Sequence, residues 1–108
     1  MAREYEVARL ADLPEEGGTL VELEGQRIAL FKVGEALYAI DDECMHLGGS
    51  LAKGERDGLV VSCPWHGWEF DLPNGAMRQI PKLRQRCFAV REEGGRVYVA
   101  LPDAGAPD

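Results

Sequence analysis

The feature that most constrains this chain is a pair of matched Cys/His motifs, Cys44-Met45-His46 and Cys63-Pro64-Trp65-His66, with 16 residues between His46 and Cys63. Thiolate and imidazole are the protein ligands that soft and borderline transition metals prefer, so two loops offering one of each read as a metal site. A Cys2His2 zinc finger groups its cysteines and then its histidines, whereas here each loop contributes both types. The alternation suits a binuclear centre in which two facing loops send both thiolates to one metal and both imidazoles to the other. A mononuclear structural zinc is the alternative, and colour separates the two. Glycines at 48, 49 and 67 let the backbone fold closely around a bulky group and turn N–H donors toward it. His46 and His66 are the only histidines, so any site that needs three is excluded.

The rest of the chain has β rhythm. Short alternating or β-branched runs predict strands near 4–10, 19–23, 27–33, 36–41, 59–63, 69–72, 86–91 and 97–101. Gly34-Glu35 and Gly94-Gly95 sit at hairpin spacing, and Leu72-Pro73-Asn74-Gly75 is a turn sequence. Such short connections favour antiparallel pairing. Helical periodicity is absent apart from one possible turn at 11–16. The expectation is one all-β domain over residues 1–108, an antiparallel sandwich or barrel, with residues 102–108 a frayed tail. The rhythm fails between Asp41 and Gly58, a long connection of the kind that carries function, and the first motif lies at its start.

Composition narrows the function. With 45% apolar and 29% charged residues the chain is globular. Its purely apolar runs, such as Ile28 to Phe31, are far short of the roughly 20 residues of a bilayer span, so no membrane association is expected. The N-terminus opens on charge without an apolar signal segment, which points to the cytoplasm. Three cysteines in a reducing compartment argue for metal or redox work rather than a disulfide scaffold. A net charge of −7 disfavours nucleic acid. Charge is also uneven: residues 1–54 hold 11 acids and 5 bases, whereas residues 72–91 hold Arg78, Lys82, Arg84, Arg86 and Arg91 and no acid. That run is either a solvated strand face or a set of cations that steers an acidic partner.

Taken together, Cys44-Met45-His46-Leu47-Gly48 and Cys63-Pro64-Trp65-His66-Gly67 resemble the two cluster-binding boxes of the Rieske [2Fe–2S] family. The resemblance runs by motif through Trp68-Glu69-Phe70-Asp71 and Gly75 to Ile80-Pro81, which is similar to the family's proline loop, and so covers about residues 41–81. It implies a small cluster-binding subdomain built from two loops and the proline loop, and one [2Fe–2S] cluster per chain. Cys44 and Cys63 would ligate one iron, and His46 and His66 the other through Nδ1. Met45, Leu47, Pro64 and Pro81 would ring the histidine edges.

Departures from the respiratory branch of the family sharpen the resemblance. Gly49 and Trp65 stand where that branch has an extra pair of cysteines, and Trp68 and Phe70 stand where it has hydroxyl donors. Hydrogen bonds to cluster sulfur raise the potential, so their absence implies the low end of a range of about −150 to +300 mV. The implied role is a ferredoxin-like one-electron carrier, not an enzyme, between a flavoprotein reductase and a terminal oxygenase. The alternative is the small subunit of an NAD(P)H-dependent nitrite reductase, partnered by its large subunit. Cys87, in a strand-like run, reads as a buried thiol outside the site, and Trp68 as core packing.

Overall fold

A computed structural model describes residues 3–44, 49–64 and 67–101. The 102–108 tail expected from the sequence lies outside them. Among the described residues the expected rhythm becomes ten strands: β1 Arg3–Arg9, β2 Thr19–Leu23, β3 Gln26–Val33, β4 Ala36–Asp41, β5 Arg56–Asp57, β6 Val60–Ser62, β7 Glu69–Asp71, β8 Cys87–Phe88, β9 Val90–Glu93 and β10 Arg96–Leu101. They form three sheets, ordered β1-β10-β9, β2-β3-β4-β8 and β5-β6-β7. Every strand pairing among the described residues is antiparallel, as the short connections favour. Single 3-10 turns at Leu10–Asp12 and Leu51–Lys53 are the only helical elements among the described residues. No helix in them is long and apolar enough to cross a membrane.

The apolar run in β3 explains how these sheets are held together. Successive side chains of a strand point to opposite faces, and here both faces are covered: Ile28, Ala29, Leu30 and Phe31 are each at most 1% exposed. Ile28 and Leu30 join Ala39, Phe88, Val97, Val99 and Leu101 in a core between the four-stranded sheet and the β1-β10-β9 sheet. Ala29 and Phe31 face the other way, into a second core with Leu51, Val61, Phe70, Leu72, Met77 and the two motif cysteines, Cys44 and Cys63. The chain segment that carries the motifs is thus packed directly on the back of the central sheet.

Two elements differ from the sequence expectation. Residues 86–91 are not one strand: Cys87 and Phe88 pair with β4, whereas Val90–Glu93 pair with β10. The chain changes sheets at Ala89, whose carbonyl accepts from the Ala100 N–H at 2.9 Å. Within the connection expected to be irregular, Arg56–Asp57 adds a short strand against β6. The approach of these elements is close at Gly54, where an added Cβ would stand 1.9 Å from the Ser62 carbonyl oxygen. The glycine is needed for contact and not for its backbone angle, since its φ is −78°. Gly54→Ala is therefore expected to force the 3-10 turn off β6 and lower stability by about 2 kcal/mol; thermal denaturation checks this through a melting temperature several degrees lower.

Candidate metal centre

Both motifs sit in loops closed in the same way. The first leaves β4 through Asp42 and Glu43; Glu43 and Ser50 form an antiparallel bridge, and the Cys44 N–H donates to the Gly49 carbonyl at 2.8 Å. The second lies in the β6–β7 hairpin, where Ser62 pairs with Glu69 and the Cys63 N–H donates to the Trp68 carbonyl at 2.7 Å. In each loop the cysteine is the first residue and the accepting carbonyl lies five residues on, with the histidine between them. The thiols of Cys44 and Cys63 share one core, are 1% and 2% exposed, and are not in disulfides. His46 and His66, with Met45 and Leu47 of the expected collar, lie outside the described residues; Pro64 and Pro81, the other two of that collar, are both exposed. The donor chemistry that is described fits a thiolate-bound metal pair: two buried sulfurs from two matched loops, where solvent would otherwise be the alternative ligand.

The first loop has a support that the sequence reading missed. Asp42 is fully buried, and its carboxylate is met on both oxygens. Oδ1 accepts from the Ser50 hydroxyl and the Ala52 N–H, each at 2.8 Å, while Oδ2 accepts from Arg27 Nη2 at 3.0 Å. The Asp42 backbone bonds across as well, its N–H to the Arg27 carbonyl at 3.1 Å and its carbonyl from the Leu51 N–H at 2.8 Å. One acid thereby ties the entry of the loop to its exit and to the central strand. A buried carboxylate is tolerated only when so completely paired. In sequence, an acid ahead of a glycine-rich loop reads as an ordinary turn residue, so only spacing to Ser50 and Ala52 could have drawn attention to it.

A second tie binds the proline loop to the first. Gln85, 4% exposed, donates from Nε2 to the carbonyls of Asp41 at 3.1 Å and Glu43 at 2.8 Å. Arg86 reinforces it with contacts to both oxygens of Asp41, at 3.0 and 3.2 Å. The turn before the proline loop forms as its sequence requires: Gly75 has φ +71°, and Asn74 Oδ1 accepts from the Ala76 N–H at 2.8 Å. Trp68 is partly buried against the same core and Phe70 is fully buried within it. Neither has a hydroxyl to offer a sulfur.

Cys87 corrects the sequence expectation. Phe88 takes the inward position of this two-residue strand, so alternation turns Cys87 outward and the residue is exposed. Its Sγ nevertheless lies against the glycine turn, 4.0 Å from the Gln85 carbonyl oxygen. Loss of hydration raises its pKa, the negative charge of Asp41 raises it further, and Arg84 opposes both.

Asp42→Ala strips acceptors from the buried Ala52 N–H and from Ser50, and should cost about 2–3 kcal/mol, read by chemical denaturation; Asp42→Asn, which keeps one acceptor oxygen, should cost less. Cys87, with its thiolate disfavoured, should react with iodoacetamide more slowly than a small free thiol at pH 8, and gain rate at higher pH. Mass-spectrometric alkylation kinetics would contradict this if Cys87 matched the free thiol throughout.

Comparison with known proteins agrees with this geometry. The chain is 35% identical over 97 residues to the 3-phenylpropionate/cinnamic acid dioxygenase ferredoxin subunit of Escherichia coli K12, covering 88% of this chain and 91% of that protein. Its fold superposes with a TM-score of 0.82 on the ferredoxin of carbazole 1,9a-dioxygenase from Nocardioides aromaticivorans IC177, at 27% identity over 89% of this chain and 95% of that one. A chain in the complex of reduced oxygenase and oxidized ferredoxin in carbazole 1,9a-dioxygenase gives 0.83 at 31% identity, over 90% and 92% of the two chains. The family model for the Rieske [2Fe-2S] domain matches residues 3–100, which takes in both motif loops and the sheets that carry them, and the chain therefore belongs to the Rieske [2Fe–2S] domain family.

Proposed function

We propose that this protein is a Rieske-type ferredoxin, a one-electron carrier that takes electrons from a flavoprotein reductase and delivers them to a terminal oxygenase. The observation that carries the reading is the pair of matched loops, each opening on a buried cysteine of one common core. Of the two acceptors that the sequence leaves open, the oxygenase is favoured over a nitrite reductase. The relatives named above are ferredoxin components of dioxygenases, and one is in complex with its oxygenase. A single [2Fe–2S] cluster supplies the one-electron chemistry. In this reading Cys44 and Cys63 hold one iron, and His46 and His66 the other.

The protein's own work is to hold the group and to set its surroundings. Asp42 and Gln85 brace the first loop and the proline loop against each other, so little rearrangement accompanies a change of charge at the site. Phe70 and Trp68 present apolar surface where a hydroxyl would stabilise added negative charge, which keeps the potential low. The protein acts in the cytoplasm, consistent with three cysteines none of which is in a disulfide.

The purified protein should be red-brown, contain equal amounts of iron and inorganic sulfide, and take up one electron per chain on anaerobic titration. Voltammetry should give a potential toward the low end of the family, nearer to about −150 mV than to +300 mV. Colourless protein with stoichiometric zinc would overturn the carrier reading. A potential near the upper end would overturn the account of Phe70 and Trp68. Cys44→Ser and Cys63→Ser should each lose the colour, whereas Cys87→Ser should keep it.

A further inference from the structure

We infer that the loop of residues 78–84 is a preformed cationic docking surface that selects a protein partner through carboxylates on that partner. This rests on the carrier reading above and adds to it the chemistry of the partner's face. Arg78, Lys82 and Arg84 are all exposed, and none forms an ion pair among the described residues. They share this with Arg9, Lys53 and Arg56, which lie apart in the chain, and differ in it from Arg3, Arg27, Lys32, Arg86, Arg91 and Arg96, each of which is salt-bridged to an acid of the same chain. In a chain of net charge −7, Lys82 and Arg84 are a local reversal of sign, with Arg78 at the edge of the loop, where it lines a surface pocket with Glu55, Asp57 and Glu69.

The same loop exposes apolar surface between the cations. Ile80 is 42% and Leu83 38% exposed, two of the four large apolar residues that are exposed among the described residues, and Pro81 between them is exposed too. An apolar centre with a charged rim is the anatomy of a protein interface. The loop is also held in shape. The Leu83 N–H donates to the Ile80 carbonyl and the Met77 N–H to the Leu83 carbonyl, both at 2.9 Å, while Ala76 and Arg84 form an antiparallel bridge. Gln85 then fastens its base to the Glu43 carbonyl, one residue from Cys44. Because this surface is ordered before contact, docking loses little conformational freedom, and the exposed cations accelerate encounter with an acidic face.

The sign of a salt effect tests this. The reduced holoprotein gives one electron to hexacyanoferrate(III), which becomes hexacyanoferrate(II). If net charge governs the approach, screening relieves repulsion and the stopped-flow rate rises with salt. If the loop governs it, the rate falls, by about threefold or more between 20 and 200 mM salt. The double variant Lys82→Glu, Arg84→Glu should abolish or reverse that fall, whereas Arg96→Glu, on β10, should leave it in place. A rate that rises with salt in the native protein, or an equal response to Arg96→Glu, overturns the proposal. Binding of poly-L-glutamate at 20 mM salt, measured calorimetrically, reads the surface without electron transfer. The double variant should weaken it at least about threefold, and absence of binding by the native protein also overturns the proposal. Intact poly-L-glutamate binding by a protein that cannot be reduced would contradict the carrier reading alone.

Discussion

The structure depends on one strand being dry on both sides. In most antiparallel sheets one face meets water, and a strand alternates apolar with polar residues. Here Ile28, Ala29, Leu30 and Phe31 of β3 are buried in succession, and each face nucleates its own core. One core closes the sandwich with Val97 and Val99. The other has no large sheet to close on, and is covered instead by two loops, a three-stranded ribbon and the turn before the proline loop. The motif cysteines are part of that cover, so the rigidity of the central sheet is passed to the site without an intervening layer.

Packing alone would leave the loops free to shift, because apolar contacts are not directional. Direction comes from a few polar contacts placed where the loops join the sheet. Asp42 fixes entry and exit of the first loop to Arg27 of β3, and Gln85 fixes the proline loop to the first. The second loop needs no such aid, since β6 and β7 pair up to Ser62 and Glu69, adjacent to Cys63 and Trp68. The two loops thus reach the same closure by different means, one with side chains and one with a ladder.

Much of this was legible in the sequence. Strands β2 and β4 have the bounds that their alternation predicts, and the Gly94-Gly95 turn falls where expected, with both residues at positive φ. The chemistry was legible too, because cysteine and histidine are rare and their pairing is not a packing pattern. What escaped is what depends on partners distant in the chain. Arg56–Asp57 is a strand only because β6 lies beside it, and the change of sheet at Ala89 leaves the local alternation unbroken. In sequence Cys87 reads as buried because a thiol in an apolar run suggests burial, whereas it is Phe88 next to it that takes the place in the core. The ties made by Asp42 and Gln85 are invisible to periodicity for the same reason: each reaches a group fixed by the fold.

In the proposed carrier, two cysteines and two histidines from matched loops divide the ligation of one cluster between them. Pulsed electron paramagnetic resonance on the dithionite-reduced protein tests it most directly, by detecting nitrogen bound to the iron. Strong couplings from two imidazole nitrogens are expected, with one lost on substitution of His46 and one on substitution of His66. A spectrum without strongly coupled nitrogen would contradict this ligation.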